Sequence, residues 1–153
     1  MRMLKPGMVL VLAGLLVVTA QAAPKLSDSV VKIEAKAGKP DAEGNLSVVL
    51  SFDIDKDWHL YANPVPKDFP GIPTTISADS ASKVEDLKVS YPEGRLIKDA
   101  LVGDYRVYEG KTDIKVALRR PKGSTGAFEL IVRVQACSDK QCLLPANVKV
   151  KVE

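Results

Sequence analysis

The sequence predicts an all-β domain. Three observations carry that expectation: many short segments in which apolar and polar residues alternate, ten prolines and ten glycines that punctuate them, and the lack of any convincing amphipathic helix. Successive side chains of a strand point to opposite faces, so an alternating run has one face to bury and one to wet.

Taken in order, Val30–Ala35 reads as an edge strand, followed by the turn-rich stretch Gly38–Asn45. Leu46–Ile54 is the clearest strand. It puts Leu46, Val48, Leu50, Phe52 and Ile54 on one face and Ser47, Ser51 and Asp53 on the other, with Val49 the exception. The turn Asp55-Lys56-Asp57 leads into Trp58-His59-Leu60-Tyr61. Asn63–Pro73 carries prolines at 64, 66, 70 and 73; each removes a ladder donor, so this stretch is a loop and not a central strand. Thr74–Ala78, Leu87–Tyr91, Tyr105–Tyr108, Asp113–Leu118, Phe128–Val134 and Asn147–Val152 are further strands. About eight or nine short strands without helices indicate a two-sheet β-sandwich of immunoglobulin-like architecture.

The first residues are of another kind. Arg2 and Lys5 precede an apolar run from Met8 to Val18, and Ala20-Gln21-Ala22 has the small-x-small form of a secretory cleavage site. We expect residues 1–22 to be a cleaved signal peptide and residues 23–153 to be one domain. The apolar run falls short of the roughly 20 residues that span a bilayer, so no stable anchor is expected after cleavage. Of the formal net charge of +3, Arg2 and Lys5 supply two units, leaving +1 for the mature chain. Acidic and basic residues alternate throughout it, with no basic stripe interleaved with aromatics, which argues against a nucleic-acid partner. Export places the chain where disulfides form and persist.

The only two cysteines, Cys137 and Cys142, lie in QACSDKQCLLP (Gln135–Pro145) with four polar residues between them. A disulfide requires its Cα atoms within roughly 4.4–6.8 Å, whereas five residues of extended chain span about 16 Å. Bridging the pair therefore demands a chain reversal, at or near a hairpin tip between Phe128–Val134 and Asn147–Val152. A loop of about six residues yields only about 2 kcal/mol of cross-link stabilisation, against nearly 5 for a loop of about 100, so a structural staple would be better placed elsewhere. Strand parity puts Cys137 on the face of Glu129, Arg133 and Gln135, the wetter one, where a partner thiolate could reach it. A stapled turn in a secreted domain is the other reading of the same spacing.

Other chemistries find little support. His59 is the sole histidine and sits among Trp58, Leu60 and Tyr61 as a packed strand residue would. No phosphate loop or hydrolase signature is present. Copper or zinc could be held by Cys137, Cys142 and His59, but no fourth ligand can be named, and no cofactor is expected.

WHLYANP (Trp58–Pro64), IPT (Ile72–Thr74), YPEG (Tyr91–Gly94), YEG (Tyr108–Gly110) and QACSDKQCLLP, in this order, resemble the amino-terminal periplasmic domain of the DsbD family of thiol:disulfide interchange proteins. The resemblance runs from about Leu46 to Val152. It implies an immunoglobulin-like domain whose cysteine pair takes electrons from a membrane-embedded or thioredoxin-like donor and passes them to periplasmic disulfide proteins. Cys137 and Cys142 match the redox pair, and Cys142 matches the cysteine that forms mixed disulfides. His59 and Tyr61 fall where the best-known member has tyrosines, and Tyr108 is expected near the site. Lys98–Gly103 falls on a cap loop, with Leu101 in the place of a shielding aromatic and Asp99 in that of an acidic neighbour. Four residues separate the cysteines here, against five in that member. Full-length members continue into membrane and thioredoxin-like domains, so this chain is expected to act as a stand-alone domain.

Overall fold

The computed structural model describes residues 23–153; the expected signal peptide lies outside them. Among the described residues, eleven strands and two single turns of 3-10 helix make up the fold. The longest strand, β2 (Asn45–Ile54), buries Leu46, Val48, Leu50, Phe52 and Ile54 and exposes every second residue between them, apart from half-buried Val49. It pairs antiparallel with β1 (Val31–Ala37) on one side and β8 (Lys111–Arg119) on the other, and β5 (Glu85–Ser90) completes a sheet of order β1-β2-β8-β5. In β8 the inward set is Ile114, Val116 and Leu118.

The opposing layer is divided. One ribbon has the order β10-β3-β7-β6, from Ala136–Cys137, His59–Tyr61, Tyr105–Tyr108 and Arg95–Ile97. The other has the order β11-β9-β4, from Ala146–Val152, Phe128–Val134 and Thr75–Ala78. A single residue, Gln135, joins β9 to β10, so the chain changes partners there. The side chain of Gln135 accepts a hydrogen bond from Ile72 N at 2.9 Å, holding the proline-rich loop where a ladder bond would otherwise have been. One apolar core lies between the layers and draws on all three sheets: Leu50 and Ile114, Leu60 and Tyr108, Leu130 and Val132.

The sandwich expected from the sequence is therefore present, with more strands than the eight or nine anticipated. The additional ones are β6 and β10, of three and two residues. Neither is long enough to show a period; pairing with β7 and β3 is what makes them strands. Val30 belongs to the 3-10 turn Ser27–Val30. β5 begins earlier than Leu87, at Glu85, because a bulge with Asp86 at φ 51° lets the strand add two residues.

Candidate functional site

β9 and β11 form a hairpin, pairing from Phe128 with Val152 to Val134 with Ala146. The segment between them carries both cysteines. Its polar tetrapeptide reverses the chain as expected: Ser138 N donates to Gln141 O at 2.8 Å, and Ser138 Oγ accepts from Lys140 N and Gln141 N, both at 3.3 Å. Cys137 and Cys142 become cross-strand neighbours with Cα atoms 4.0 Å apart, and their sulfurs are bonded.

Ser27 ties this segment to the body. Its hydroxyl, fully buried, donates to Leu144 O at 2.7 Å and accepts from Ala136 N at 2.9 Å, while Ser27 N donates to Leu144 O at 2.9 Å. One side chain thus clamps both arms of the loop that presents the disulfide.

The two cysteines differ in exposure. Cys142 is exposed, whereas Cys137 is only 2% exposed. This corrects the expectation that Cys137 lies on a wet face. The parity argument holds along β9, where Arg133 is exposed, but at β10 the same face is covered: Cys137 stands opposite His59 of β3 and is bridged by Cys142 folding back over it.

Beside the disulfide is a group of aromatic rings. The Tyr61 hydroxyl lies 3.9 Å from Cys142 Sγ. Its ring meets Phe69 edge-on at 4.9 Å and Tyr105 at 5.7 Å, and Phe69 and Tyr105 are themselves 4.9 Å apart. His59, on the same face of β3, is 5.8 Å from Tyr61. Burial pushes the Tyr61 phenol up from its ordinary pKa. Gly71 passes so close beneath that an added Cβ would stand 2.5 Å from Phe69 Cε1 and 2.7 Å from Tyr61 Cδ2.

Next to His59 opens a groove of about 650 Å³ lined by Trp58, Arg95, Tyr105, Glu109 and Asp139 among others. Arg95 grips Glu109 with two hydrogen bonds, Nε to Oε2 at 2.7 Å and Nη2 to Oε1. That bond holds the Glu109 carboxyl below its usual pKa. Burial lowers the His59 imidazole, with Glu109 and Asp139 pulling the other way.

The structure brings His59 and Tyr61 to the disulfide but not the other three residues expected there. Tyr108 pairs with Leu60, which puts it on the opposite face of the ribbon; it is 2% exposed in the core, and its hydroxyl donates to Pro92 O at 3.0 Å. Leu101 is 94% exposed and so covers nothing. Asp99 Oδ1 accepts from Leu101 N at 2.8 Å and Val102 N at 3.0 Å, capping its own turn. In their stead stand Phe69, Tyr105 and Asp139, which the sequence reading passed over. Tyr105 could have been found by parity, since only one of Tyr105 and Tyr108, three apart, can share a face with Tyr61.

Fold and site together define an immunoglobulin-like sandwich that carries a disulfide-forming cysteine pair at the tip of one hairpin. The chain belongs to the family described as thiol:disulfide interchange protein DsbD, N-terminal, whose model matches residues 27–153. Among solved structures it is similar to the N-terminal periplasmic domain of ScsB from Proteus mirabilis, with a TM-score of 0.63 and 14% identity over 80% of this chain and 46% of that one. It is also similar to the DsbD N-terminal domain of Neisseria meningitidis in its reduced form, with a TM-score of 0.50 and 17% identity over 82% of this chain and 86% of that one. This chain thus spans less than half the length of the ScsB chain, and at these identities the likeness is one of fold. No curated protein matches.

Proposed function

We propose that this domain is an exported thiol-disulfide exchange module, relaying electrons between a thioredoxin-like or membrane-embedded donor and periplasmic disulfide proteins through Cys137 and Cys142. Membership of the family and the bonded cysteine pair support exchange chemistry. The observation that carries the mechanism is the unequal exposure of the two cysteine residues, Cys142 exposed and Cys137 only 2% exposed.

Exchange is an in-line displacement, so the sulfur that is attacked must be reachable. A donor thiolate attacks Cys142 Sγ, the Cys137–Cys142 bond breaks, and Cys137 leaves as a thiolate. A second donor thiol then releases the domain with both cysteines reduced and the donor oxidised. In the forward transfer, Cys142 thiolate attacks an acceptor disulfide, and Cys137 resolves the mixed disulfide by attacking Cys142 Sγ. Two electrons and two protons pass to the acceptor, and the domain regains its bridge. No cofactor enters this sequence. Partner choice rests on the surface around Cys142, the aromatic group and the groove beside His59.

A Cys137→Ala variant tests the reading. It is expected to hold periplasmic thioredoxin-like or disulfide proteins as mixed disulfides through Cys142, released by dithiothreitol, while Cys142→Ala holds none. Equal trapping by both variants, or by neither, contradicts the assignment.

A further inference from the structure

We propose that His59 is the acid-base group that takes up and returns the proton of the Cys137 thiol. The inference rests on the exchange reading above and concerns its resolving step. A cysteine 2% exposed is poorly reached by hydroxide or buffer bases, and burial disfavours its thiolate. Its proton therefore needs a base within the protein. In the β3–β10 register His59 stands directly opposite Cys137, a placement that brings Cβ atoms within about 4.5–5.5 Å on one face. It is the only imidazole in the chain.

His59 also lines the open groove of about 650 Å³, so a proton accepted from the buried cysteine has a way out to water. The charged groups around it come from every neighbouring element. Glu109, just past β7, and Asp139, in the cysteine turn, favour the imidazolium; Arg95 of β6 opposes it. Asp55, Lys56 and Asp57 of the β2–β3 turn line the same groove, and Tyr61 on its own strand and Tyr105 on β7 present phenols. Burial keeps the ring neutral near pH 7, the form able to accept a proton.

The step balances. With Cys142 in a mixed disulfide, His59 takes the proton of Cys137, and the thiolate attacks Cys142 Sγ. The Cys137–Cys142 bond forms as the bond to the partner breaks, and the partner leaves as a thiolate. The imidazolium then gives its proton to that thiolate or to water through the groove. In the reductive direction the same imidazolium protonates the departing Cys137.

The test uses the reduced protein and one equivalent of 5,5'-dithiobis(2-nitrobenzoate) in a stopped-flow instrument. Attack by Cys142 releases the first thionitrobenzoate, and resolution by Cys137 releases the second. His59→Gln should leave the first release within about twofold and slow the second about tenfold or more at neutral pH, a modest expectation beside the roughly hundredfold to ten-thousandfold typical of acid-base groups. The gap should close as pH rises above the pKa of the Cys137 thiol, where the sulfur ionises without the help of a base. Glu109→Gln keeps the imidazole but removes a carboxylate that favours its charged form, and should move the pH midpoint of the second release downward. A second release unchanged in His59→Gln across this range, or a midpoint unmoved in Glu109→Gln, overturns the inference. Absence of the first release in Cys137→Ala would instead overturn the exchange reading itself.

Discussion

Gly71→Ala adds one methyl group beneath the aromatic rings that flank Cys142. The backbone of Gly71 is not in the left-handed region, so alanine is conformationally acceptable and the effect isolates the side-chain collision. The new Cβ would lie 2.5 Å from Phe69 Cε1 and 2.7 Å from Tyr61 Cδ2, well inside the roughly 3.5–4.0 Å of ordinary carbon contact. Rings cannot yield as the free end of a lysine can, and both are packed on Tyr105. Overpacking of this kind costs about 1–3 kcal/mol. At roughly 3–5 °C per kcal/mol for a domain of this size, the oxidised protein should melt about 3–15 °C lower. The strain should also displace Tyr61, whose hydroxyl is 3.9 Å from Cys142 Sγ, and raise the rate at which dithiothreitol reduces the disulfide. Phe69→Ala in the same chain removes one of the two obstacles, so the double variant should recover part of the loss, a coupling of about 0.5 kcal/mol or more. A Gly71→Ala protein that melts and reduces like the wild type, or a double variant showing simple additivity, would refute this account of the aromatic support.

Three further outcomes follow from single groups. Ser27→Ala strips Ala136 N of its acceptor and Leu144 O of one donor; a loss of about 1–3 kcal/mol is expected, with hydrogen exchange fastest at Ala136 and Leu143, measured by NMR. Leu101→Ala should change stability by no more than about 0.5 kcal/mol and leave the reduction rate of the disulfide as it was, because a side chain 94% exposed shields nothing. For His59, burial sets the folded pKa below the unfolded value of about 6.5. The unfolded chain then binds more protons, so its contribution is complete above about pH 6.5 and is lost as pH falls through the lowered folded pKa. Melting curves of wild type and His59→Gln should accordingly differ in slope only on the acid side of that value.

Much of the fold was legible because it is periodic. Tyr105–Tyr108 and Phe128–Val134 are bounded as their alternation indicated, and β2 buries the set Leu46 to Ile54. Prolines 64, 66, 70 and 73 keep their stretch out of the named strands, apart from a single parallel bridge of Pro73 to Tyr61, and the strand resumes at Thr75. What could not be read is what tertiary pairing decides. β10 has two residues, and past Gln135 the alternation continues, with Ala136 in the core, while the face of Cys137 is covered by His59 of β3 and by Cys142. The reversal between the cysteines followed from covalent reach alone, whereas their unequal exposure depends on β3 lying alongside. Of the positions taken from the resemblance, Tyr61 lies beside Cys142 and His59 opposite Cys137, whereas Leu101 is exposed. A register is fixed where strands pair, whereas a turn that caps itself through Asp99 needs no contact with the disulfide to hold its shape. Phe69 went unread because it sits in a loop without periodicity, held by Gln135 and by its neighbours Tyr61 and Tyr105.

The bridge between Cys137 and Cys142 is the centre of this account, and its reduction potential is the most direct measure of it. Equilibrating the protein in glutathione or thioredoxin buffers and counting bridged and free thiols by mass should give a midpoint between about −200 and −270 mV, the range of exchange proteins. A midpoint below about −300 mV, with the bond resistant to thioredoxin, is the behaviour of a structural cross-link and would contradict it.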